Sequence, residues 1–318
     1  MRSINIAMLC PMPNDATSIY RAWGPLNRLR KTMNLHLNEA TDWKWHNMKN
    51  NDIVFLQRPF QPHHMEAAAG ARHVGLPLWV DFDDNLLRVP KSNPFKGMYT
   101  GCERVVIKCV EKADVVTVST QPLLEELSQF SDKVLLVPNA PDPDIWGEPD
   151  LSWKGRKNIV LWRGSETHAK DLFQWKDEFL ESYESMRGNW KWAFLGWEPW
   201  MYTEHMDPND FMFEPFKDYF SFVSDMKKIR PKIMIFPLEK NPFNMAKSTN
   251  VCDDAQWSGA LLVTPYWFCH EKNCTQEMET AVNNCEGGYD PANVPPPQTK
   301  LDRSNDIRRE IIESLVGK

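Results

Sequence analysis

The chain has 318 residues, 42% hydrophobic and 25% charged, which exceeds one ordinary core, suits two domains of ~150 residues each and excludes a disordered polymer. Lys and Arg number 37 against 43 Asp and Glu, a net charge of −6, so long-range attraction to nucleic acid or an anionic membrane is disfavoured and only a local basic groove is compatible with it. No apolar run reaches the ~20 residues that cross a bilayer, and the chain passes from Met1-Arg2-Ser3 directly into an apolar segment, so the expectation is a cytoplasmic protein without a membrane span.

Short apolar runs bounded by turn residues recur at 4–9, 52–56, 76–82, 114–119 and 133–137. They predict buried parallel strands. Between them, residues 18–31, 63–73, 101–112 and 121–130 have helical character, so the rhythm is β-α-β-α and a doubly wound sheet follows. Residues 140–150 are proline-rich, acidic and without period, which predicts an inter-domain linker. A second series of strands then starts at 158–162 and continues at 190–195, 210–216, 233–237 and 259–264, with helices at 168–187 and 220–228. Ile307, Ile311, Ile312 and Leu315 share one face of a terminal helix over 306–316 that should dock on a domain. The expected architecture is α/β, with two Rossmann-like domains facing each other across a cleft, residues 1–150 and 151–318, the second including the terminal helix.

The seven cysteines are odd in number and scattered, unlike a secreted disulfide framework, and reduced thiols are expected. Cys269, His270, Cys274 and Cys285 are close enough in sequence to raise zinc, but no CxxC spacing is present and no metal is assigned. Many of the 14 tryptophans, such as Trp190, Trp192, Trp197 and Trp200, suit either core packing or stacking on a sugar or base.

In open α/β sheets the ligand lies beyond the carboxyl ends of the strands, where strand order reverses. The sharpest local signal there is the strand 159–162 ending in Arg163-Gly164-Ser165, with Thr167 and His168 opening a helix. Gly164 admits close backbone approach, Ser165 or Thr167 can cap, and Arg163 adds a planar cation, as a diphosphate requires; an ordinary capped turn reads the same way. Neither GxGxxG nor a Walker pattern is present, which counts against nicotinamide chemistry and phosphoryl transfer. Asp81, Asp83 and Asp84 follow a buried strand and suit metal binding, hydroxyl orientation, general-base work or simple capping. Gln57-Arg58-Pro59, Pro138-Asn139 and the pair His63-His64 close other strands, while Lys240, Asn244, Lys247 and Asp254 surround the end of the strand 233–237.

Together these segments resemble the nucleotide-sugar glycosyltransferases of two-Rossmann (GT-B) fold, particularly the retaining family and its compact bacteriophage versions, over nearly the whole chain. The most specific match is Val115-Val116-Thr117-Val118-Ser119 with the later Val137-Pro138-Asn139. Tyr20-Arg21 with Pro25, and Trp79-Val80-Asp81-Phe82-Asp83-Asp84, are similar to segments of phage-type members. Arg163-Gly164-Ser165 with His168 is similar to the opening of the donor domain.

The resemblance implies a UDP- or GDP-type sugar as co-substrate with no further cofactor. The donor would be held by Gly164, Ser165, His168, Asn244, Ser248 and Asp254, the last on the ribose. The acceptor would lie beside Tyr20, Arg21, Arg58, Asp81, Asp84 and Asn139. Arg163 and Lys247 would neutralise the leaving diphosphate without a metal ion and with retention, while Asp83, Asp84 or His64 would be the base of an inverting variant. The first of the family's two carboxylate places falls on Ala246, which leaves Asn244 or Lys247 to substitute and admits a non-catalytic nucleotide-sugar-binding protein as an alternative. The acceptor implied is a hydroxymethylated pyrimidine in DNA, or else a glycan or lipid-linked sugar. DNA would need a phosphate-facing patch such as Arg21, Arg28, Arg30 and Lys31, or Arg104, Lys108 and Lys112.

Overall fold

The computed structural model describes residues 2–10, 15–39, 48–269, 271–294, 296 and 300–317. His270, and residues 11–13 that stand where a glycine fingerprint would, lie outside them.

Two six-stranded sheets, every pairing parallel, organise the molecule. The first has the order β2-β1-β3-β4-β5-β6, with β1 Ile4–Leu9, β2 Leu35–Glu39, β3 Ile53–Gln57, β4 Leu78–Phe82, β5 Val115–Val118 and β6 Val134–Leu136. The second runs β12-β11-β10-β7-β8-β9, with β7 Ile159–Gly164, β8 Lys191–Gly196, β9 Phe211–Pro215, β10 Ile233–Ile235, β11 Leu261–Val263 and β12 Cys274–Thr275. This is the α/β two-sheet architecture that the sequence predicts. The central strands β3, β4 and β5 are buried along their whole length, as sheets covered on both faces require, and their runs of Val, Ile, Leu and Phe follow from that. Strand order reverses between β1 and β3 in one sheet and between β7 and β10 in the other.

Each sheet has a core on both faces, and the two halves exchange residues. Ala246 of the second half packs into the core around Leu56, Val80 and Val118. Tyr20 of the first half packs with Trp146, Tyr219 and Leu238 on the second sheet. Tyr20 is carried by residues 16–29, a helix widened by a π turn over Ile19–Trp23, which turns the adjacent Tyr20 and Arg21 both inward.

The terminal helix, Lys300–Val316, corrects the expected division. Ile311, Ile312 and Leu315 pack on Ile6, Phe55 and Trp79 of the first sheet, not on the second half that precedes the helix. Burying each of these side chains contributes ~1.5–3 kcal/mol, and Asn305 Nδ2 adds a bond to the Pro25 carbonyl at 3.1 Å. Nor is the stretch 140–150 a free linker. Asp142 caps a short helix, Pro143–Trp146, and the buried Trp146 donates from Nε1 to Tyr219 Oη at 3.0 Å.

Candidate functional site

The carboxyl ends of both sheets meet around residues that the sequence singled out. On the second sheet, β7 and β8 converge through Gly164 and Gly196. A Cβ on Gly196, whose φ is +102°, would collide with the Gly164 carbonyl oxygen, and one on Gly164 would lie 2.7 Å from the Trp162 ring. The close approach is therefore reserved for glycine.

Arg163 leaves the end of β7, and its Nη2 donates to Asp254 Oδ2 at 2.6 Å. Asp254 accepts on its other oxygen from Tyr20 Oη at 3.1 Å, and it is only 1% exposed. Burial holds its carboxyl above the ordinary range despite the facing Arg163. The expected ribose ligand is thus engaged on both oxygens as the counter-ion of Arg163 and as the joint between the two halves. Arg163 keeps an unspent donor, its buried Nε, and its guanidinium carbon lies 5.7 Å from the Phe236 ring centre.

His168 Nδ1 meets Asp171 Oδ2 at 2.9 Å. Burial, reinforced by Lys247 and Arg163, keeps this imidazole below its usual range against the pull of Asp171. Asn244 Nδ2 donates to Asp171 Oδ1 and to the Glu239 carbonyl, each at 2.9 Å, so it fastens the turn after β10 instead of facing an open donor site. Ser165 is exposed at the start of the next helical turn and bonds Thr167 at 2.6 Å. Ser248 accepts from Asn139 Nδ2 at 3.1 Å across the two halves.

Lys247 reaches across the cleft to Asp84, with 3.8 Å between Nζ and Oδ1, and lies 4.7 Å from the Phe243 ring centre. Burial opposes the Asp84 charge, but Lys247 and Arg58 outweigh it and hold the carboxyl below its ordinary value. Asp83 behaves oppositely. Burial and the neighbouring Asp84 push its carboxyl up to about 7, which Arg58 only partly offsets. Arg58 has φ +48° and stands 3.6 Å from Asp83 and 3.5 Å from Asp84. Ala246, where the family pattern has a carboxylate, is 1% exposed and its carbonyl accepts from Thr120 Oγ1 at 2.8 Å. A charged side chain there would enter the first core, so Lys247 is the residue of this turn that remains beside the cleft.

Four expected acceptor-side residues, Tyr20, Arg21, Asp81 and Asn139, are removed from solvent. Arg21 grips Asp81 with two bonds, 3.0 and 2.6 Å, and also bonds the Val137 carbonyl and Asn139 Oδ1. Thr117 completes Asp81. With Arg21 and Asp81 each 1% exposed, this network holds strand ends together and cannot meet a phosphate or a sugar. In the first basic patch two further cations are paired with carboxylates while keeping solvent exposure. Arg28 pairs with Asp302, Asp142 and Asp144, and Lys31 with Asp144. In the second patch, Lys108 pairs with Glu111.

Arg58, expected on the acceptor side, borders a cavity whose further lining residues Phe60, Met98 and Tyr99 the sequence did not single out. The volume of this cavity is about 280 Å³, and Gln57 and His64 also line it. Gln57 is buried, accepts from Ser18 Oγ at 2.8 Å, and has no partner for Nε2 among the described residues. A glutamine ending a buried strand was the available signal.

The thiols also regroup. Cys269 and Cys274 are joined as a disulfide, against the expectation of reduced thiols throughout, and Cys252 is their third neighbour. Cys285 instead packs against the core around Trp162 and Phe179.

No family model and no curated protein sequence matches the chain, so the comparisons are structural. The Anabaena protein Alr3699/HepE in complex with UDP-glucose is similar over 99% of this chain and 100% of its own, with a TM-score of 0.61 and 10% identity. An alpha-glucosyltransferase in complex with UDP is similar over 98% and 95%, with a TM-score of 0.57 and 14% identity. The UDP-GlcNAc 2-epimerase of Neisseria meningitidis bound to UDP-GlcNAc is similar over 99% and 100%, with a TM-score of 0.51 and 10% identity. At these identities the likeness establishes the fold: the chain has the two-domain GT-B architecture. No helix among the described residues is long and apolar enough to cross a membrane.

Proposed function

We propose that the protein is a glycosyltransferase that takes a sugar from a nucleoside-diphosphate donor, UDP-type as in the neighbours' complexes, and passes it to a hydroxyl acceptor. The observation that carries this reading is the pair of cations that line the cleft, Arg163 at 2.6 Å from Asp254 and Lys247 at 3.8 Å from Asp84, with Arg163 at the end of β7, where strand order reverses in the second sheet. Two fixed cations there are placed to receive the negative charge that develops on a leaving diphosphate, with Gly164 allowing its oxygens to approach the backbone. The cavity of about 280 Å³ lined by Trp175, Pro237 and Thr264 suits the nucleoside.

The acceptor occupies the Arg58 cavity, with Gln57 Nε2 and Tyr99 as polar contacts and Phe60 as the apolar wall. Asp83 orients the attacking hydroxyl, and the departing diphosphate takes its proton, so the anomeric configuration is retained and no divalent ion is needed. Binding of a donor separates Arg163 from Asp254 in part, and the buried Nε is a donor that this movement can satisfy.

Thermal shift against UDP, GDP and their sugars tests the donor site, because a ligand bound only by the native state raises its melting temperature. UDP is expected to shift the wild type. Arg163→Ala and Lys247→Ala should each weaken UDP roughly 10- to 100-fold, the range for one lost bond to a charged group. Unaltered UDP affinity in both variants would remove the donor site from this cleft. Proton NMR of the anomeric centre, without Mg²⁺ or Mn²⁺ and with hydroxymethylated DNA and simple glycans as acceptors, reads transfer and stereochemistry. Conversion of UDP-GlcNAc to its 2-epimer with no acceptor present would reassign the chain to epimerisation.

A further inference from the structure

Cys252, Cys269 and Cys274 come from three different places: a helix, the loop after β11 and the first residue of β12. Their sulfurs nevertheless lie within 4.8 Å of one another. Cys252 is 3% exposed and carries a free thiol, and a disulfide between the other two gives it no role. In a tetrahedral zinc site with Zn–S of about 2.3 Å the sulfurs stand roughly 3.8 Å apart, a spacing that the Cys269 and Cys274 sulfurs reach by separating once their disulfide is reduced. On its outer side is a cavity of about 330 Å³ lined by Cys269, Cys274, Glu271 and Glu277. That supplies an entry path for the ion and room for a water at a fourth position.

We infer that these three cysteines form a soft-metal site, a thiolate cage for zinc or a like d¹⁰ cation, with the fourth position taken by water. Thiolates select such ions over magnesium or calcium. Occupation starts from the dithiol. A small dithiol or phosphine reductant gives two electrons and two protons to the Cys269–Cys274 bond and is itself oxidised. Zn²⁺ then forms three Zn–S bonds while three thiol protons pass to solvent, leaving a net charge of −1 on the sulfur cage. The site fastens the Asn250–Ser258 helix, which carries Asp254 two residues beyond Cys252, to the β11–β12 edge.

The test uses the full chain, expressed with zinc, purified under a phosphine reductant and desalted. Elemental analysis should find about one zinc per chain. Cys252→Ser, Cys269→Ser and Cys274→Ser should each lower the retained zinc at least roughly tenfold, the low end of losses seen even for groups behind the ligands. Cys285→Ser should keep it. Cobalt added to the reduced wild type should give a sulfur-to-cobalt charge-transfer band in the near ultraviolet, and this readout stands if a serine variant fails to fold. Reduced wild type that holds neither zinc nor cobalt overturns the site. Retention of full zinc by a folded Cys252→Ser also overturns it, because only the Cys269–Cys274 pair would then be involved.

Discussion

Two arginines of the first half face aspartates that end the same strand region, and they do opposite things. Arg21 and Asp81 are dry, bidentate and completed by Thr117, Asn139 and a carbonyl. Arg58 stands 3.6 and 3.5 Å from Asp83 and Asp84, beyond a good hydrogen bond, and its bonds to Thr17 and Tyr99 are long at 3.4 Å. One cluster has no capacity left for a ligand. The other keeps a strained backbone, a carboxyl near neutrality and an adjacent cavity. A satisfied charge network fixes a fold, and an unsatisfied one is where substrate is recognised.

The largest way to break this contrast is Arg21→Ala. It leaves Asp81 buried without its cation and should cost about 3–5 kcal/mol in denaturant unfolding; a loss under about 1 kcal/mol would show that the network is dispensable. Tyr20→Phe removes the bond to Asp254 that joins the halves, and the expected cost is about 1–2 kcal/mol by the same measurement. Arg58→Ala should instead leave stability within about 1 kcal/mol of wild type, the scale of a weak partly exposed pair, while acceptor KM rises and donor affinity holds.

Asp83 makes a prediction in pH. Its carboxyl is raised from an unfolded value of 3.8 to about 7, so between those values the folded chain holds a proton that the unfolded chain has released. Its contribution to stability is therefore complete below the unfolded value and is lost as pH rises toward 7. Asp83→Asn should flatten this decline in unfolding curves taken from pH 4 to 8, and an unchanged slope would remove Asp83 as its source. The smallest effect belongs to Lys108→Ala. Its pairing with Glu111 is exposed, so stability should move by no more than about 0.5 kcal/mol, and DNA affinity should not change beyond error.

The fold was largely legible because the β3–β5 and β7–β8 runs are apolar along their length and bounded by turns. What escaped had little pattern to read. β2 has one buried residue in five, and β12 is two residues long. The Asn250–Ser258 helix is buried from Val251 through Ser258, so it lacks the polar face that a 3.6-residue period needs. At the site, sequence position brought Arg163, Lys247, Asp83 and Asp84 to the strand ends where they occur. It could not separate Arg58 from Arg21 or expose the engagement of Asp254, because partners 60 to 234 residues distant decide both. Nor could it place the last helix, since an apolar face does not say which sheet it covers.

That helix also decides how the chain can be divided. The polypeptide passes between the lobes twice, once through residues 140–150 and once on its return to the first sheet before residue 300. Both ends of the chain therefore belong to the first lobe, and a fragment cut at residue 150 would bare the apolar surface of Ile6, Phe55 and Trp79 that Ile311, Ile312 and Leu315 cover.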